Sequence, residues 1–147
     1  MARKFRRLEE YNSAKLGPSL TNKGAPVSLV LCTGVNPVLM ETRKLILQRA
    51  GHTVITAINE RELDAACTTH GFDVAVIGQT VSSKMKKAIA LLIRKQCPSA
   101  KIVELYPLYQ SKVLEDADAW LEVPIDIPDE LAQVVNELTR KTRFGQP

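Results

Sequence analysis

The feature that most constrains the fold of this chain is a continuous apolar run inside residues 72–79, FDVAVIGQ. The run that starts at Val74 is too short for a packed helix and too continuous for a strand with one exposed face. It therefore predicts a strand that is buried on both faces, as in the centre of a parallel sheet. In an open parallel sheet, functional groups collect where the carboxyl ends of the strands emerge, which here means Gly78 and Gln79. Neither side chain can perform phosphoryl transfer or acid–base chemistry.

The rest of the pattern alternates between strand-like and helix-like segments. Apolar and β-branched runs predict four further strands, at residues 27–32, 52–57, 101–106 and 119–122. Helical spacing predicts helices at residues 39–49, 60–70 and 82–96, a weak helix at residues 111–116, and a last helix that opens at Pro128. In the helix at residues 82–96, the inward stripe is assigned to Met85, Ala88, Ile89, Leu92 and Ile93, and Lys86 is assigned to the solvent side.

Five strands that alternate with helical segments predict an α/β domain, because parallel strands need crossover connections and helices supply them. Short right-handed crossovers favour a flavodoxin-like, doubly wound sheet of five parallel strands in the order 2-1-3-4-5. The chain of 147 residues is long enough for one such core. We expect a basic, flexible leader at residues 1–26, the domain at residues 27–141 and a short tail at residues 142–147.

The positive charge of the chain is concentrated before the predicted domain. Residues 1–26 hold six Lys and Arg against two Asp and Glu, whereas residues 27–147 hold fourteen of each sign. The basicity therefore belongs to the leader, and no nucleic-acid binding is expected from the folded body. The alternative to a flexible leader is a short docking helix lined by Phe5, Leu8 and Tyr11, which would bind a partner protein, an anionic membrane surface or nucleic acid. No apolar stretch approaches the roughly 20 residues of a membrane span, so a cytoplasmic location is expected.

The residue types that most often carry chemistry are scattered along the chain. Cys32, Cys67 and Cys97 form no CxxC or Cys/His ligand pattern, so reduced, buried thiols are expected. The alternatives are a disulfide, metal or redox role, including a sensing thiol at Cys32. His52 and His70 have no metal-ligand spacing and are expected at the surface or at an edge. No glycine motif for nucleotide phosphates is present, although an anion resting on the backbone at residues 33–35 is an alternative. These patterns predict no metal, no cofactor and no enzyme activity.

Three segments in order resemble the receiver domain of bacterial response regulators. Residues 47–57, LQRAGHTVITA, are similar to the family's LxxAGyxVxtA; residues 72–78, FDVAVIG, to its FDlvllD; and residues 117–124, ADAWLEVP, to its aDdYLtKP. The resemblance covers about residues 28–139. It implies the flavodoxin-like fold already predicted, and a role in two-component signal transduction.

The resemblance also implies that the phosphorylation site has degenerated. The two acidic residues that hold a divalent metal in the family fall on Gly34 and Val35, the phosphate-accepting Asp falls on Gly78, the Thr or Ser falls on Tyr106, and the Lys falls on Val123. Magnesium prefers oxygen ligands that include carboxylates, and phosphoryl transfer needs a nucleophile and a cation that neutralises charge. The chain therefore resembles the pseudo-receiver members of the family, which signal without phosphorylation.

Tyr106 and Trp120 occupy the places where two residues of the family move together upon phosphorylation. One interpretation is that both are packing residues with polar tips near the surface. The other is that, together with Glu122, they shape an interaction face made by the fourth helix of the family, strand five and the fifth helix. Receiver domains use this face to bind partners or to self-associate.

The predicted function is therefore a receiver-like signalling module that is not phosphorylated at the usual site and acts through protein–protein interaction. Two alternatives remain. The chain could be a sensor that binds a small molecule or nucleotide in the strand-end crevice, or a binder of nucleic acid or membrane surfaces through residues 1–26.

Overall fold

The computed structural model describes residues 28–123 and 129–143. The predicted leader at residues 1–26 lies outside this part of the chain, as does the end of the predicted tail, so both stay predictions. Within the described residues, no helix combines the length and apolar character that crossing a bilayer requires.

The described residues form one five-stranded parallel sheet with the order β2-β1-β3-β4-β5. The strands are β1 (Leu29–Thr33), β2 (Thr53–Ala57), β3 (Val74–Ile77), β4 (Lys101–Pro107) and β5 (Ala119–Val123). The helices are α1 (Pro37–Arg49), α2 (Glu60–Thr69), α3 (Ser83–Gln96) and α4 (Glu130–Arg143). The predicted fold class and strand order are confirmed.

Strand β3 lies at the centre of the sheet, and all four of its residues are buried. Val74 and Val76 contribute to the apolar layer that packs under α1 and α4, whereas Ala75 and Ile77 contribute to the layer under α2 and α3. Burial on both faces explains why β3 has no polar alternation. The central strand therefore fixes the position of the loop that follows it, which begins at Gly78.

Local signals in the sequence determine where α1 begins and ends. The side-chain oxygen of Asn36 accepts hydrogen bonds from the backbone N–H groups of Val38 and Leu39, which satisfies two donors of the first turn. At the other end, Gly51 has a φ of 102°, in the left-handed region that favours glycine. His52 N–H donates to Leu47 O over 3.1 Å, which closes the helix in a Schellman arrangement.

The weak helix predicted at residues 111–116 is wrong, because the connection between β4 and β5 contains turns and no helix. This connection, the β4–β5 loop at residues 108–118, is held by Glu104, whose carboxylate accepts from the N–H groups of Val113 and Leu114 at 2.8–3.0 Å. N–H groups that would start a helix without an internal partner are thereby satisfied by a side chain. The loop consequently runs directly back to β5.

His52 is buried, with 4% of its surface exposed, so the expectation of a surface or edge position is wrong. Its Nδ1 accepts from the N–H group of Ser28 at 3.1 Å, and its Nε2 lies 2.6 Å from Asn136 Oδ1. The ring therefore connects the start of β1 to helix α4. The three cysteines are buried free thiols, as predicted.

Candidate functional site

The carboxyl ends of β1 and β3 bring Gly34 and Gly78 together. A Cβ atom placed on Gly78 would lie 3.7 Å from the Cα atom of Gly34 and 3.5 Å from Thr33 O. Gly78 N–H donates to Thr33 O at 2.9 Å, which fixes this close approach. The two positions predicted to replace a metal ligand and the phosphate acceptor are therefore neighbours, and neither has a side chain.

The other three predicted positions contribute no carboxylate or cation. Val35 is exposed, with 54% of its surface accessible, and Tyr106 at the end of β4 is buried. Val123 lies on the edge strand, where its register partner is Pro107. The assignment of these positions to a degenerate phosphorylation site stays a prediction.

A residue that the sequence interpretation missed, Arg43, lies beside the two glycines. Its Nη1 atom is 3.1 Å from the position that a Cβ on Gly78 would take, and its Nη2 atom donates to Oε1 of Gln79. The guanidinium thus lies next to the place where an acceptor side chain would begin. We call this group, made of Gly34, Arg43, Gly78 and Gln79, the strand-end mouth.

The sequence contains a signal for the buried position of Arg43, although a charged residue is usually expected at the surface. Met40, Arg43 and Leu47 follow one another at spacings of three and four residues, and these three are the buried residues of α1. An arginine on the inward stripe of a helix brings a positive charge to the sheet. Arg43 has only 7% of its surface exposed.

Burial shifts the pKa of Arg43 in the strand-end mouth and of Cys32 in β1. It lowers the pKa of Arg43, an effect that neighbouring Cys32 partly opposes. Burial also raises the pKa of Cys32 to about 12, although the Arg43 charge acts in the other direction. A thiol with this pKa is protonated at neutral pH and is a poor nucleophile, so the structure gives no support to a sensing role for Cys32.

The residues of the strand-end mouth do not fit the divalent metal that receiver domains hold. Within residues 28–123 and 129–143, no group of three His, Cys, Asp or Glu side chains is arranged to bind a metal ion. The glycines supply no side-chain oxygen, and the Arg43 guanidinium would repel a cation. The donor set is therefore unsuitable for magnesium.

A second charged cluster lies under the β4–β5 loop. Lys86, assigned to the solvent side from the sequence, is instead 2% exposed, and its Nζ atom lies 2.8 Å from Glu104 Oε2. The same ammonium donates to Leu105 O at 2.8 Å. With the two loop N–H groups already described, Glu104 is a fully buried carboxylate that joins α3, β4 and the β4–β5 loop.

The predicted interaction face includes a helix between β4 and β5, and the structure has the β4–β5 loop in its place. Tyr106 and Glu122 are buried, at 6% and 5% exposure, so they offer little free surface. Trp120 is half-buried and donates from Nε1 to Leu114 O at 2.7 Å, which favours the interpretation of these residues as packing residues. The strongly exposed apolar side chains of this region are instead Leu108 and Tyr109 in the loop, at 56% and 88% exposure.

An apolar cleft between α2 and α3 opens beside the end of β1. It encloses about 460 Å³, including space open to solvent. Its lining includes Val35, Leu63, Val81, Met85 and Leu92. Met85, placed on the inward stripe from the sequence, is 42% exposed here, because the buried side of α3 is shifted toward Lys86, Ile89, Ala90 and Ile93.

Comparison with known proteins supports the fold through solved structures. No protein-family model and no curated protein sequence matches the chain. The receiver domain of a Francisella response regulator is 22% identical with a TM-score of 0.66, and the match covers 78% of this chain and 98% of that one. A response regulator protein from Thermotoga maritima, solved in complex with Mg(2+)-BeF, is 25% identical with a TM-score of 0.62, covering 75% and 97%.

A structure of an adenylate cyclase from Rhodopirellula baltica is also similar, at 14% identity and a TM-score of 0.63, covering 80% of this chain and 90% of that one. At these sequence identities, the structural similarity establishes a shared fold. The chain has the flavodoxin-like fold of response-regulator receiver domains.

Proposed function

We propose that this chain is a pseudo-receiver, a cytoplasmic signalling module that is not phosphorylated at the usual site, is not an enzyme, and acts through contacts with other proteins. The observation that carries the proposal is the position of the Arg43 guanidinium beside Gly78. A receiver-like scaffold supports a signalling role, and the chemistry of its strand-end mouth argues against the usual input.

The groups required for receiver phosphorylation have no counterpart at the strand-end mouth. Phosphoryl transfer to a receiver needs a carboxylate oxygen as nucleophile, and Gly78 offers none. It also needs a metal ion that would neutralise charge on the transferred phosphoryl group, and Gly34 offers no side-chain oxygen to hold one. Arg43 places a permanent positive charge at this point, so the electrostatic balance of the mouth does not depend on a bound metal.

The β4–β5 loop supports the proposal that the module acts through protein contacts. The loop replaces the helix expected there. Its backbone is fixed by hydrogen bonds to the buried Glu104 carboxylate and from the Trp120 indole N–H. It presents Leu108 and Tyr109 to solvent. Large apolar and aromatic side chains on a fixed backbone are typical of protein-binding surfaces. We propose that a protein partner, or a second copy of the chain, contacts this loop beside β5 and α4.

A magnesium titration tests the proposed loss of the phosphorylation site. In isothermal titration calorimetry with MgCl₂, we expect no saturable heat, because no carboxylate of the strand-end mouth can bind the ion. The backbone amide signals of Gly34 and Gly78 should stay in place in the corresponding NMR titration. Saturable binding of one Mg²⁺ per chain with movement of these two signals would contradict the proposal.

A further inference from the structure

The guanidinium of Arg43 is a buried charge without an anionic neighbour in the described part of the chain. The described ion pairs Lys86–Glu104 and Arg94–Asp116 do not include Arg43. Its side-chain hydrogen bond goes to Gln79 Oε1, the oxygen of a neutral amide. A buried charge that lacks a counter-ion is unfavourable, and the lowered pKa of Arg43 reflects that burial.

The donor capacity of Arg43 exceeds what its described partners use. A guanidinium carries five N–H donors in a planar fork that matches two oxygens of a phosphate or carboxylate. One of these donors is directed to Gln79, and Nη1 is directed toward Gly78, which has no side chain that could accept. Nη1 is therefore available to donate to an oxygen ligand.

The guanidinium lies close to the protein surface. Gln79 is half-buried and Thr80 is exposed, so the amide that covers Arg43 lies at the protein surface. The amino terminus of α1 begins just beyond Gly34, and a helix amino terminus carries a partial positive charge. Gly34 and Gly78, both buried, place backbone beside the guanidinium where other residues would place side chains.

We propose that the strand-end mouth binds a small oxyanion non-covalently, with Arg43 as the anion-binding residue. The ligand class is a phosphate or carboxylate group, and Gln79 moves aside or donates from its amide nitrogen when the anion binds. The inference rests on the proposed function, because it assigns a non-covalent input to the site that no longer takes a covalent phosphoryl group.

The first experiment compares sodium phosphate, sodium acetate and sodium chloride at equal ionic strength. For the wild-type chain we expect saturable movement of the Gly78 and Gln79 amide NMR signals with phosphate or acetate, and none with chloride. The anion that binds more tightly identifies phosphate or carboxylate as the preferred group. Movement that is equal in all three salts, or its absence, would overturn the proposal.

Variants separate an anion-binding role for Arg43 from a purely structural one. Arg43→Met should weaken anion binding at least tenfold, while its midpoint of denaturant unfolding in phosphate-free buffer should equal or exceed that of the wild type, because an uncompensated charge has been removed. Arg49→Met, on the exposed side of the same helix, should bind as the wild type does. A lower midpoint for Arg43→Met together with unchanged anion binding would show a structural role only.

Gln79→Glu provides an independent test that does not depend on the folding of the Arg43 variant. The new carboxylate would lie beside the guanidinium and compete with the ligand, so anion binding should fall at least tenfold and the unfolding midpoint should rise. Unchanged anion binding in Gln79→Glu would overturn the proposal. The intact mass of protein treated with MgCl₂ and acetyl phosphate reports covalent modification separately, so failure of this inference is distinguishable from failure of the proposed function.

Discussion

Replacing Lys86 by methionine is expected to lower the free energy of unfolding by about 3–5 kcal/mol, the range for removing one partner of a buried ion pair. The substitution would leave the Glu104 carboxylate fully buried without the ammonium that lies 2.8 Å away. It would also remove the donor to Leu105 O. Urea unfolding followed by circular dichroism measures the difference.

The neighbouring Lys87 provides a matched control, because its side chain is exposed. Lys87→Met should change the unfolding free energy by no more than about 0.5 kcal/mol, as is usual for surface positions. Equal effects of the two methionine substitutions would contradict the account of the buried pair.

A double-mutant cycle tests whether Lys86 and Glu104 act as a unit. In Lys86→Met combined with Glu104→Gln, the buried negative charge is also removed, while the glutamine oxygen can still accept from the N–H group of Leu114. The double variant should therefore lose less stability than the sum of the two single variants, with a coupling of about 0.5–3 kcal/mol. Additive effects would indicate that the pair contributes no coupling.

Acidification is expected to destabilise the fold through His52, by at most about 1.4 kcal/mol between pH 7.5 and pH 5.5. Ser28 N–H must donate to Nδ1, so the ring is neutral and donates from Nε2 to Asn136. Burial lowers the pKa of His52 below its usual 6.5, while the Asn136 hydrogen bond and the charge of Asp73 act in the opposite direction. Protonation would break the bond from Ser28.

The sign of this effect follows from proton binding by the unfolded chain. Below pH 6.5, the unfolded chain takes up a proton at His52 that the folded chain does not, so the stability present above pH 6.5 decreases toward the lower folded pKa. Urea unfolding of the wild type, His52→Gln and His70→Gln at both pH values measures the change. The pH-dependent loss should persist in His70→Gln and shrink in His52→Gln. An equal loss in all three proteins would refute a role for His52.

The sheet could be predicted from the sequence because the signals for a buried parallel sheet are local. The apolar run of β3 and the β-branched run of β2 are visible without knowledge of their neighbours. The strand order follows from short right-handed crossovers, which the fold obeys. The neighbouring positions of Gly34 and Gly78 could likewise be anticipated, because both residues follow adjacent parallel strands.

The errors concern charged and polar residues whose partners are distant in sequence. The sequence assigns Lys86 to the solvent side because lysine is seldom buried without a partner, and its partner Glu104 lies on another element. Glu104 itself, a charge within the apolar run of β4, was the available signal. The helix predicted at residues 111–116 failed for the same reason, since Glu104 satisfies the loop N–H groups. The position expected for His52 is wrong because its hydrogen bonds with Ser28 and Asn136 join segments that are distant in sequence.

We propose that the chain retains a receiver fold but lacks the groups that receive a phosphoryl group, and one mass measurement tests this directly. The full chain is incubated with MgCl₂ and acetyl phosphate and weighed intact, with an active receiver domain as the positive control. We expect the control to gain the mass of a phosphoryl group and this chain to keep its original mass, because Gly78 has no carboxylate and Arg43 lies beside it. A phosphoryl adduct that depends on magnesium would contradict the account.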